Sequence, residues 1–131
     1  MKYLFILSFT IFFSCNFIYD KSINKIDSDE LVEFLEINDA ILVDVRRYDE
    51  YISGHIENSL NIDYLSDDFN ENIKALNKNI PIILYCRSGN RSYLSAIKLS
   101  QIGFKEIYNL EGGILRWIEI GNEVVFTDSI N

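Results

Sequence analysis

Between residues 23 and 120 the chain alternates short apolar runs of strand length with segments whose apolar residues recur at helical spacing. That order restricts the fold more than any other feature, because strands joined through helices pair in parallel and must be covered on both faces. Ile23–Ile26 reads as a first strand, and Ser28 is placed to cap a helix over 29–36 with Leu31, Phe34 and Leu35 on one face. Residues 40–45 have the unbroken apolar profile of a buried parallel strand. Tyr48–Ile52 reads as a short helix closed by Ser53 and Gly54, 60–62 as a brief strand, and 67–76 as a helix with Phe69, Ile73 and Leu76 at helical spacing. Ile82–Tyr85 is the next strand, 92–102 an amphipathic helix stopped by Gly103, and 106–110 the last strand. A tight turn at Gly112 and Gly113 leads into a final helix over 114–120 that carries Trp117. The expected architecture is a three-layer α/β/α domain over residues 26–126 with a mostly parallel central sheet of about five strands, followed by a tail at 127–131.

The most reactive stretch is Cys86-Arg87-Ser88-Gly89-Asn90-Arg91-Ser92, which joins the Ile82–Tyr85 strand to the helix after it. A thiol at the mouth of a helix meets unpaired backbone N–H groups and the positive end of the dipole, and two arginines lie within five residues, so the thiolate is favoured. Gly89 lets the backbone turn so that successive N–H groups line a concave anion cradle. Arg91 falls in the first helical turn, where a cation opposes the dipole and needs a compensating anion. Arg87 points outward to recruit substrate, while Ser88 and Asn90 place the backbone by local hydrogen bonds. Beyond the carboxyl ends of parallel strands, where ligands gather in open α/β sheets, Asp44 and Arg46 are expected next to the Cys86 strand. They read first as a structural ion pair, with orientation of the loop as the alternative.

These residues resemble the rhodanese-like sulfurtransferases. The resemblance rests on Cys86 to Arg91 as the active loop, on Leu42-Val43-Asp44-Val45-Arg46, on Glu50-Tyr51-Ile52-Ser53-Gly54-His55-Ile56, and on Leu110-Glu111-Gly112-Gly113 with Trp117 following, over roughly residues 25–126. It implies that Cys86 is the nucleophile that takes sulfane sulfur from a small anionic donor such as thiosulfate and passes it to cyanide or a thiol. Arg87, Ser88, Gly89, Asn90, Arg91 and Ser92 are then the expected substrate-binding loop, and Asp44, Arg46 and His55 its supports. His55 could serve a Cys–His hydrolase as base, but in the family pattern Gly54-His55-Ile56 lies away from that role.

Net charge bounds the partners. The chain has 131 residues, 12 basic and 20 acidic, for a formal charge of −8. Nucleic acid and anionic headgroups are repelled at long range by such a surface, so an anionic substrate needs a local basic pocket, for which Arg46, Arg47, Arg87 and Arg91 are candidates. With 48% hydrophobic residues, including 9 Phe and 8 Tyr, one core of domain size is available. His55 is the only histidine and Cys15 and Cys86 the only cysteines, which leaves no metal site or cofactor to expect.

The first residues read as an address. Lys2 precedes an apolar run over 3–13 interrupted by Ser8 and Thr10, the layout of a secretory signal rather than of a spanning helix of about 20 apolar residues. Phe12-Phe13-Ser14-Cys15 resembles a bacterial lipoprotein lipobox, with phenylalanine in place of the usual leucine. On that reading residues 1–14 are cleaved, Cys15 is lipidated, 15–25 form a tether, and the domain faces the periplasm or cell exterior on a membrane anchor. An uncleaved anchor, or cleavage elsewhere, is the alternative.

Two other functions use the same residues. A non-catalytic module that carries sulfur or binds a protein would need no turnover. Phosphatases and arsenate reductases of related fold share the thiolate-and-arginine logic, but the related phosphatases use a loop one residue longer than the C-x-x-x-x-R of Cys86 to Arg91.

Overall fold

The computed structural model describes residues 22–127. The expected leader, Cys15, most of the tether and residues 128–131 lie outside the described residues. Five strands, β1 (Ile23–Ile26), β2 (Ile41–Asp44), β3 (Leu60–Asn61), β4 (Ile82–Tyr85) and β5 (Ile107–Leu110), form one sheet in the order β1-β5-β4-β2-β3. Every neighbouring pair is parallel. The connections run through α1 (Ser28–Ile37), α2 (Tyr48–Ile52), α3 (Phe69–Lys74) and α4 (Asn90–Gln101), and α5 (Gly113–Glu119) follows the last strand. This is the expected parallel α/β architecture.

Strand β4 is the middle of the sheet, and all four of its residues are buried. Side chains alternate across a strand, so Ile82 and Leu84 join one core with Val43, Phe69 and Leu99, while Ile83 and Tyr85 join the other with Leu31, Leu110 and Trp117. Each fully buried aliphatic side chain contributes about 1.5–3 kcal/mol relative to an exposed one, so the two-sided burial of β4 is what holds the layers together. Register then places the site. Asp44 pairs with Tyr85 at the last rung of β2 and β4, so Arg46 and Cys86 emerge past the same edge of the sheet.

Three boundaries differ from expectation. Helix α1 is capped by Asp27 rather than Ser28: the Asp27 carboxylate accepts from the Glu30 N–H at 2.9 Å, and the Glu30 carboxylate accepts from the Asp27 N–H at 3.0 Å. This reciprocal box needs a three-residue spacing to Glu, which Asp27 has and Ser28 lacks. Helix α4 begins at Asn90 instead of Ser92, because Gly89 at φ +111° makes the turn into the helix and frees Asn90 and Arg91 to start it. Gly113 is the first residue of α5 and not part of a free turn.

Candidate active site

Cys86 is the first residue after β4, and its sulfur takes the place of a capping side chain for α4. The residue at the cap itself is Gly89, which has no side chain to accept the helix's unpaired amides. The Gly89 N–H instead donates to Cys86 Sγ at 3.1 Å, and the Ser92 hydroxyl donates to it at 3.4 Å. Burial pushes the Cys86 thiol up, but donation from the Ser92 hydroxyl and from the Ser92, Gly89 and Ser88 amides outweighs it and holds the pKa below the ordinary value. The thiolate is therefore stabilised by the same groups that cap a helix. Cys86 keeps only 1% of its surface exposed, so the sulfur lies on the floor of the loop. Arg87 and Ser88, the next two residues, are exposed.

Two elements from the end of the chain fix the loop's backbone. The Ile114 N–H donates to the Cys86 carbonyl at 3.0 Å and the Leu115 N–H to the Arg87 carbonyl at 3.2 Å, so the first turn of α5 is spent on the loop. Gly113 makes this approach possible: a β-carbon there would stand 2.5 Å from both the Cys86 and Arg87 carbonyl oxygens. From β5, the Asn109 amide donates to the Gly89 carbonyl at 3.3 Å.

Two arginines at this edge, Arg46 and Arg91, are paired with acids. Asp44 takes the Arg46 guanidinium, with contacts at 2.7 and 3.0 Å, and accepts the Arg46 backbone N–H at 2.9 Å. Arg46 Nη2 also donates to the Gly54 carbonyl at 2.7 Å, so the pair ties the end of β2 to the end of α2. Burial lowers the Arg46 pKa, and the Asp44 carboxylate more than restores it. Arg91 was expected to hold an anion directly, and its guanidinium is instead engaged by Glu50, Nη1 donating to Oε2 at 2.8 Å and Nη2 to Oε1 at 2.9 Å. Glu50 also accepts the Arg47 N–H at 3.0 Å, but its main partner is Arg91. Donation from Arg91 holds the Glu50 carboxyl down to about 2. The anion that compensates a cation in the first turn of α4 is thus a side chain of the protein.

His55 is committed elsewhere. Its ring stacks on Tyr51 at 3.7 Å, its Nδ1 lies 2.9 Å from the Tyr51 carbonyl, and its backbone bridges to Val125. The Tyr85 hydroxyl accepts from the Ile56 N–H at 3.0 Å and lies 3.0 Å from the Ser59 hydroxyl, so β4 anchors the chain that follows His55. Beside the loop, Arg46, Glu50 and Arg87 share a cavity of about 280 Å³ with the aliphatic side chains of Ile114, Leu115 and Ile118.

Sequence reasoning missed Asn109, the Glu50–Arg91 pair and the clasp by α5. A local signal existed only for the last, in the two adjacent glycines Gly112 and Gly113.

Residues 27–120 match the family model of the Rhodanese-like domain. A sulfurtransferase from Allochromatium vinosum is 34% identical over 104 residues, covering 79% of this chain and 95% of that protein. A tRNA uridine(34) hydroxylase from Wigglesworthia glossinidia brevipalpis is 34% identical over 110 residues, covering 79% of this chain, and the match spans only 34% of that protein's length. Among solved structures, a rhodanese-related protein from Thermoplasma volcanium superposes with a TM-score of 0.70 at 35% identity, covering 79% of this chain and 99% of that one.

Proposed function

Since the chain belongs to the rhodanese-like domain family, we propose that it is a sulfurtransferase that works through a persulfide on Cys86. The observation that carries the reading is the position of Sγ, which accepts from the Gly89 N–H and the Ser92 hydroxyl at the start of α4. Those donors favour a nucleophilic thiolate, and after transfer the same cradle suits the charge of a persulfide.

With thiosulfate as donor, the Cys86 thiolate attacks the sulfane sulfur. A bond forms from Sγ to that sulfur, the S–S bond of thiosulfate breaks, and sulfite leaves with the electron pair. In the second half, cyanide or a thiolate attacks the outer sulfur of the persulfide. The Sγ–S bond breaks, its electron pair stays on Cys86, and thiocyanate or a new persulfide departs. Neither half needs a cofactor. Asp44 and Arg46 brace the loop between β2 and α2 in this scheme, and Arg87, exposed at the loop, attracts the anionic donor.

The test is intact-protein mass after incubation with thiosulfate and, separately, with other sulfane donors. The wild type gains the mass of one sulfur atom, cyanide removes it, and Cys86→Ser gains nothing. A wild-type protein that takes up no sulfur from any of these donors overturns the proposal.

A further inference from the structure

Asn109 is a polar residue in an apolar setting. Register pairs it with Leu84 of β4, and it shares a sheet face with Ile107, on the side of the core that α4 covers. Its Nδ2 donates to the Gly89 carbonyl at 3.3 Å, while its Oδ1 is buried without a hydrogen-bond partner among the described residues. A buried acceptor left unpaired is destabilising, so a residue kept here for packing alone would be aliphatic. The bond that Nδ2 makes also adds little to stability, since the Gly89 carbonyl already accepts the Tyr93 N–H at 3.2 Å as the first bond of α4. What the amide does supply is a fixed orientation.

That orientation matters at one joint. The Cys86 and Arg87 carbonyls are held by the Ile114 and Leu115 N–H groups, and the Gly89 carbonyl is held by Asn109. The peptide between these two clamps joins Ser88 to Gly89, and its N–H donates to Cys86 Sγ at 3.1 Å. Gly89, at φ +111°, is the loop residue with the widest freedom to rotate, so pinning its carbonyl to the sheet limits how far that N–H can swing from the sulfur. We infer that Asn109 is a positioning residue for Cys86: by holding the Gly89 carbonyl it keeps the Gly89 N–H aimed at the thiolate, and it is retained for reactivity at a cost in stability. This rests on the reading of Cys86 as the nucleophile and deepens it. Asn109 acts through Gly89 and not on the sulfur itself.

The experiment measures the second-order rate of Cys86 alkylation by iodoacetamide against pH, followed by peptide mass, in the wild type, Asn109→Leu, Asn109→Ala and Asn24→Ala. Asn24 is the control, because its Nδ2 also donates to a sheet carbonyl, that of Ile107 at 3.2 Å, but away from the loop. In both Asn109 variants the midpoint of the profile moves to higher pH and the rate at neutral pH falls about threefold or more, while the plateau at high pH is unchanged, as expected when part of a hydrogen bond to the thiolate is lost. Asn24→Ala keeps the wild-type midpoint, and urea denaturation finds Asn109→Leu no less stable than that control. A wild-type midpoint in the Asn109 variants overturns the inference. Loss of cooperative unfolding in both of them overturns it too, by making Asn109 a structural residue. Alkylation is independent of sulfur transfer, so either failure leaves the sulfurtransferase reading to be decided by thiosulfate loading.

Discussion

A β-carbon on Gly113 would stand 2.5 Å from the carbonyl oxygen of Cys86, so the first turn of α5 is packed directly on the backbone of the residue that carries the thiol. The Ile114 N–H completes the contact by donating to that same carbonyl. The loop is therefore held from a segment 27 positions later in the chain, from Cys86 to Gly113, as well as by its own helix.

Gly113→Ala forces α5 away from the loop or strains its φ of +56°, and is expected to cost at least about 2 kcal/mol. Gly121→Ala is the control: it shares a positive φ, at +96°, but nothing lies within 4 Å of a β-carbon there, so it bears the backbone strain alone, about 1 kcal/mol. Urea denaturation of the two variants checks the difference, and thiol reactivity is expected to fall only in Gly113→Ala.

Ser92→Ala removes one donor to the Cys86 sulfur and raises the thiol pKa. The wild-type pKa lies below the ordinary thiol value, so ionised Cys86 stabilises the fold fully above that value, and the contribution is lost as pH falls through the folded-state pKa. A hydrogen bond worth about 1 kcal/mol corresponds to roughly a fivefold smaller thiolate-to-thiol ratio at a given pH. Ultraviolet absorbance of the thiolate as a function of pH measures it directly, and the loading rate at neutral pH should drop with the ratio.

Asp44→Ala leaves the Arg46 guanidinium, 7% exposed in its side chain, without its counter-ion. Removing one member of a buried pair costs about 3–5 kcal/mol, because the remaining charge stays desolvated. The double variant with Arg46→Met is expected to recover much of that loss, since neither charge is then buried. Denaturant titration of the two single variants and the double one supplies the cycle.

Some of this was decided by the order of residue types. The alternation of apolar runs and amphipathic segments specifies a parallel sheet with helices on both faces, because only that arrangement buries runs such as Ile82–Tyr85 on two sides while joining parallel neighbours. The motif around Cys86 was legible for the same local reason: a thiol, a glycine and a helix start within seven residues act on one another whatever surrounds them. Helix ends were less legible, since Asp27 and Ser28 are both good caps and the choice fell to the spacing of Glu30.

What the tertiary structure alone decided is the electrostatic state of the loop. Glu50 and Arg91 are 41 positions apart, and nothing local in either segment marks the other as its partner. The β2–β4 register brings the ends of those two strands together, and with them α2 and α4, and only then does the acid reach the guanidinium. Asn109 and Gly113 come to the loop in the same way, from the end of β5 and the start of α5. The sequence sets which chemical groups can act over a few residues, where chain connectivity holds them close. The charge left for a substrate depends on groups that only the packed sheet brings within hydrogen-bonding range.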